Sequence, residues 1–167
     1  MPYTLIALLL LTTCCYGQRD LNAILKKINA STYRPDGKNG DGVMLAKSKK
    51  TKKWGMYQAW NEKNITEMIP AVYDSIDFFE VNAPLTGVWK KGKVGIYLSP
   101  WTFEKGRQSV ECLYDAYQVF YKETAYLAVR KDKYWAWIDW MNGELKTDFI
   151  YQMDKGQLPP PNYKQEE

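Results

Sequence analysis

The stretch KKWGMY, Lys52 to Tyr57, returns forty residues later as GKVGIY, Gly92 to Tyr97, and again as KYWAWI, Lys133 to Ile138. Self-similarity at a period near 40 residues marks a repeat architecture. Each unit is too small to bury its own apolar face, so units stack into a continuous core and the end units diverge. Within the first phrase, Trp54, Met56 and Gln58 alternate with Gly55, Tyr57 and Ala59, the period of two that a strand needs. Trp54 becomes Val94 and then Trp135, residues able to fill a core layer. Gly55, Gly95 and Ala136 mark a position where a neighbouring backbone or ring lies close.

Each phrase is the return arm of a hairpin. Val43 to Ala46 rises, KSKKTKK turns, and Trp54 to Ala59 returns; Leu85 to Trp89 and Val94 to Leu98 flank a turn at Lys90 to Lys93; Tyr126 to Val129 and Tyr134 to Asp139 flank Arg130 to Lys133. A second signature closes each unit. Ile69 to Ile76 contains Tyr73-Asp74, and Glu111 to Tyr117 contains Tyr114-Asp115, 41 residues on. The third unit offers only Asp148 to Gln152, with Tyr151 in place of the pair.

Outside the repeats, Leu21, Ile24, Leu25 and Ile28 fall on one helical face, with Asp20 placed to cap and Lys26 and Lys27 in the last turn. A short amphipathic helix is expected over 18–29. Residues 30–42, rich in turn chemistry at Pro35-Asp36-Gly37 and Asn39-Gly40, read as a loop, 43–154 as the repeat domain, and 155–167 as a Pro-rich flexible tail. Residues 1–17 carry an uncharged Leu-rich run too short for a membrane span, the pattern of an export signal. The expected location is therefore the periplasm, the cell surface or the medium, with no transmembrane helix in the mature chain. Leu11-Thr12-Thr13-Cys14 is similar to a lipobox, but Thr13 stands where a smaller residue is normal, so lipidation through Cys14 is the lesser alternative.

The Trp-Gly pair after a Lys-rich turn, the aromatic that follows, and the Ile-Pro-x-x-Tyr-Asp closing element resemble WG repeats. Lys53 to Tyr57 with Ile69 to Asp74 is the best copy; Gly92 to Tyr97 with Tyr114-Asp115 is the second; the third matches loosely. The resemblance covers about Val43 to Asp154. It implies a β-rich, mostly bacterial, exported protein-interaction module without common catalytic residues. The departures at Val94 and Ala136 leave open whether the third copy is a full unit or a cap. Three units are fewer than a closed propeller uses. The expected fold is all-β: about three tandem meander repeats in an open stack after a short helix.

Chemistry is sparse. The chain has no histidine, and removal of a signal leaves Cys112 as the one thiol, so neither a zinc site nor an activated cysteine is expected. Asp36 to Gly42 lacks the closing Glu of a calcium loop. No metal and no cofactor are expected. Asp74 and Asp115 read as turn residues rather than a catalytic pair. Lys49, Lys50 and Lys52 in the first turn, with Tyr134, Trp137 and Trp140 in the third unit, are the candidate binding surface. Trp60, Trp89 and Trp101 enlarge the pool of aromatics. Nucleic acid is not expected as a partner, because a basic patch for it needs interleaved exposed aromatics. The leading expectation is a non-enzymatic module binding a protein partner. A carbohydrate-binding module using exposed Trp and Tyr comes second, and a carboxylate hydrolase third.

Overall fold

The computed structural model describes residues 20–36, 42–79, 84–103, 106–121 and 125–152. The expected signal segment, Cys14 and the tail from 155 onward lie outside these residues. The described chain is all-β with one short helix. Helix α1 is Leu21–Lys27. The strands are β1 (Ala30–Pro35), β2 (Val43–Ser48), β3 (Trp54–Ala59), β4 (Ile65–Tyr73), β5 (Ser75–Ile76), β6 (Leu85–Lys90), β7 (Lys93–Leu98), β8 (Arg107–Tyr114), β9 (Ala116–Tyr121), β10 (Ala125–Lys131) and β11 (Tyr134–Ile138). They form three antiparallel meander sheets, β1-β2-β3-β4, β5-β6-β7-β8 and β9-β10-β11. No closed barrel forms among them.

A single residue separates successive sheets. Asp74 stands between β4 and β5, and Asp115 between β8 and β9. One long path therefore bends at an aspartate, leaves one sheet as its last strand and enters the next as its first.

Apolar alternation decides which faces meet. Val43, Leu45, Met56, Ile69 and Ile76 pack with Val88 and Tyr97 between the first two sheets. Leu85, Ile96, Leu98 and Val110 pack with Leu127, Val129 and Ile138 between the second and third. The second sheet is thus buried on both faces, which explains why β6 and β7 read as nearly continuous apolar runs. Each Ile, Leu or Val enclosed this way contributes about 1.5–3 kcal/mol. The outer face of the first sheet is covered by α1, where Ile24 meets Met44, Ala46, Tyr57 and Ala59. The expected cap is in place: Asp20 Oδ1 accepts from Ala23 N at 3.0 Å. The helix is shorter than its sequence pattern and stops before Asn29, whose φ is +52°.

The expected loop over 30–42 is corrected over residues 30–35, while residues 37–41 lie outside the described residues. Ala30–Pro35 is a strand pairing antiparallel with β2, Tyr33 opposite Ala46 and Arg34 opposite Leu45. It is an edge strand with five of its six residues exposed, so it needs no apolar alternation. Pro35 ends it, where a missing N–H costs no inner ladder bond. Turn chemistry begins only beyond it.

One irregularity recurs in every unit. Trp54 pairs with Tyr73 but Met56 with Ile69, a two-residue step against four. Val94 pairs with Tyr114 and Ile96 with Val110 in the same way. In the third unit Trp135 bridges Tyr151, while the N–H of Trp137 donates to Thr147 Oγ1 at 3.0 Å. The extra residues bulge over the second position of the phrase. A Cβ on Gly55 would lie 2.9 Å from Ile69 O, and one on Gly95 only 2.4 Å from Val110 O. Ala136 is accommodated because residues 148–150 are not a strand, and the N–H of Ile150 turns back to Asp148 O.

The missing Trp of the second phrase has crossed the ladder. Trp54 pairs with Lys47 and Trp135 with Arg130, whereas Val94 pairs with Trp89.

Gly95→Ala is expected to cost about 1–3 kcal/mol through forced displacement of β8, and Gly55→Ala less. Ala136→Gly should cost no more than about 1 kcal/mol. Urea unfolding of the three variants checks the order, and equal losses at Gly95 and Ala136 would contradict the bulge geometry.

Candidate functional site: the hairpin-tip face

The turns that precede the three return arms all lie at one end of the stack, joined by the two bend aspartates. Asp74 Oδ1 forms an ion pair with Lys53 Nζ of the first turn, while its Oδ2 accepts from Lys91 N, in the second turn, at 2.7 Å. Asp115 repeats this one sheet on. Its Oδ1 lies 2.5 Å from Lys93 Nζ, and its Oδ2 accepts from Asp132 N, in the third turn, at 2.7 Å. The backbone N–H of each aspartate also donates to the strand before the next turn, Asp74 to Trp89 O and Asp115 to Arg130 O, both at 2.8 Å. Lys91 and Asp132 have φ near +55°, a left-handed conformation that is costly outside glycine. The carboxylates hold that conformation.

These aspartates were expected to be turn residues bonding their own backbone. They instead bond two turns at once, that of their own unit and that of the following one. Both carboxyls are held below the usual aspartate range, Asp74 by the Lys53 ammonium and then the Lys91 N–H, Asp115 by the Lys93 ammonium and then the Asp132 N–H. Each is committed to a separate clamp rather than paired with the other.

Lys49, Lys50 and Lys52 are exposed on the first tip, and Tyr134 is half-buried at the third with Lys133 over its ring. The structure places these on the same end. It does not bring Trp137 and Trp140 to them. Trp137 is 1% exposed and Trp140 8%, which corrects their assignment to a binding surface. Trp137 packs with Trp135, Ala128 and Phe120 on the outer face of the third sheet. Trp140 packs on the inner face, beside Phe103, its Nε1 donating to Ala125 O at 3.1 Å. Successive strand residues alternate faces, so both faces of β11 being apolar meant two cores.

Cys112 packs against the first core, its Sγ donating to Val88 O at 3.3 Å, and burial raises its pKa. Tyr73 likewise is pushed up to about 12 by burial, then by the neighbouring Cys112 and Tyr97, and its hydroxyl donates to Gln108 at 2.8 Å, tying the first sheet to the second. Among the described residues no group of three or more His, Cys, Asp or Glu could hold a metal. No described helix is long and apolar enough to cross a membrane.

Sequence reading missed three exposed side chains. Val72, Leu113 and Ile150 each precede the repeat Tyr and are 44%, 57% and 62% exposed. The signal was present as an aliphatic residue at one repeat position. Val72 and Leu113 lie on the edge strands β4 and β8, and Ile150 lies outside any described strand, so no neighbouring strand pattern announces their exposure. The exposed tryptophans are Trp60 and Trp101, which follow β3 and β7 at the end opposite the tips.

Because the folded pKa of Asp74 and Asp115 is lowered, their stabilisation is present above the unfolded value and disappears as pH falls through the folded one. Double substitution to Asn should lower Tm by a few degrees at neutral pH and flatten the fall in Tm below about pH 4. A variant with the wild-type acid profile would refute the clamp. Trp137→Ala should cost about 3–5 kcal/mol, as a core deletion does, whereas a ligand platform would lose little; denaturant midpoints decide between them.

Compared with protein-family models, with curated proteins and with solved structures, the chain matches none, so the functional reading rests on the geometry above.

Proposed function

We propose that the chain is a non-enzymatic, exported interaction module built from WG-like repeats, which binds a protein partner at the cell envelope or outside the cell. The observation that carries this reading is the row Val72, Leu113 and Ile150. Single exposed aliphatics are ordinary on a protein surface. The same position exposed in three consecutive units gives an extended partner a foothold that repeats with the scaffold. The aspartates that an enzyme would most readily use are each consumed by a clamp, and the chain offers no histidine.

Trp60 and Trp101 support a second reading, a carbohydrate site, since each presents an exposed indole on which a sugar ring can stack. The two readings separate cleanly. Photo-crosslinking in the native host's envelope fraction should yield a defined partner, lost on Val72→Ser, Leu113→Ser and Ile150→Ser with Tm unchanged. Retention of the partner by that variant would refute the aliphatic row. A fluorescence shift with neutral oligosaccharides, abolished by Trp60→Ala and Trp101→Ala, would replace the protein-partner reading with the glycan one.

A further inference from the structure

The three hairpin tips are basic in turn: KSKKTKK at 47–53, KKGK at 90–93 and RKDK at 130–133. They hold five, three and three basic residues, eleven of the chain's 23, against Asp74, Asp115 and Asp132 among its 19 acidic residues. The formal charge of the whole chain is only +4, so the remainder is net negative and the molecule is electrically polar. The tips are also physically continuous. Asp74 bonds both the first tip and the second, and Asp115 both the second and the third. Stacked sheets lie about 10 Å apart, which spaces the three cationic clusters along a ridge of about 20 Å. Lys49, Lys50, Lys90, Lys91 and Lys131 are exposed on it and make no ion pair with any described carboxylate.

We infer that this ridge binds an extended acidic polysaccharide, a linear sugar polymer carrying regularly spaced carboxylates. The reasoning is one of shape and charge. A line of cation clusters at fixed spacing fits a linear polyanion, whose bound counterions are released when lysines replace them. A bilayer surface fits less well, because stable attachment needs an apolar group beside the charge and residues 49–53, 91–92 and 131–133 contain none. Single-stranded nucleic acid fits less well because it uses exposed aromatics for base stacking: Trp60 and Trp101 stand at the opposite end of their strands, and Tyr134 at the third tip is half-buried with Lys133 over its ring. This site is separate from the aliphatic row and extends the interaction-module reading to a second ligand.

The test is titration of the full chain with polygalacturonate, using dextran as the neutral control. Binding is expected at low ionic strength, with a loss of at least about tenfold on going to physiological salt. Replacing Lys49, Lys50, Lys131 and Lys133 by Gln should weaken it by about tenfold or more with Tm unchanged. Lys63→Gln and Arg107→Gln, at the end of the strands opposite the tips, should leave it intact, as should the Val72, Leu113 and Ile150 variant. No binding to polygalacturonate, or equal weakening by both sets of basic residues, overturns the proposal. So does tighter binding to single-stranded DNA or to phosphatidylglycerol vesicles than to polygalacturonate. Any of these results leaves the crosslinking test of the aliphatic row standing.

Discussion

A strand that bends out of one sheet and into another must fix the hairpin of the second sheet against that of the first, and in this chain an aspartate at the bend does so twice. Its backbone N–H begins the next sheet's ladder while its carboxylate spans two turns. One oxygen takes the lysine that precedes its own sheet's return arm, and the other takes the N–H of a left-handed residue in the following hairpin. Exposed ion pairs contribute little alone. The backbone bond matters more, because it holds a non-glycine residue at positive φ in a two-residue turn, and that turn sets the register of everything after it.

The ends of the stack show the same constraint by its absence. Among the described residues no bend aspartate reaches the first hairpin from an earlier sheet, and its turn is held by Ser48 Oγ, which accepts from Lys50 N and Thr51 N, each at 3.2 Å, and by Asn29 O, which accepts from Lys49 N at 2.9 Å. Among the described residues no sheet follows the third. Tyr134 occupies the place of Lys53 and Lys93, and Gln152 the place of Asp74 and Asp115. Lysine and carboxylate are thus replaced together, as expected of two groups that act as one clamp. The third unit keeps the Tyr151 bridge and the irregular pairing but not the clamp.

Packing follows from this linkage. With the sheets held face to face, the middle one is enclosed on both sides and the outer ones are left with one open face each. Helix α1 covers the first through Ile24. The tryptophan-rich outer face of the third is a compact aromatic cluster, with Phe120 and Tyr126 set edge-on to Trp137. The proposed binding surfaces use what the core does not: the lysines of the tips, and the exposed aliphatic side chains Val72, Leu113 and Ile150.

The repeat period, the strand alternation, the three hairpins and the helix cap were all legible in the sequence, because each depends on local backbone preference and on which residues must avoid water. The apolar nature of both faces of β11 was legible too, but whether the second face met a ligand or a core was not. That depends on what packs there. The same limit hid β1, an exposed edge strand with no apolar period, and the exposure of Val72, Leu113 and Ile150, which a local pattern cannot distinguish from burial. The carboxylate partners of Asp74 and Asp115 lie 17 to 22 residues away, in the hairpin of the same unit and in that of the next. Composition marked them as turn residues, and only the stacking of one sheet on the next decided whose turn each would hold.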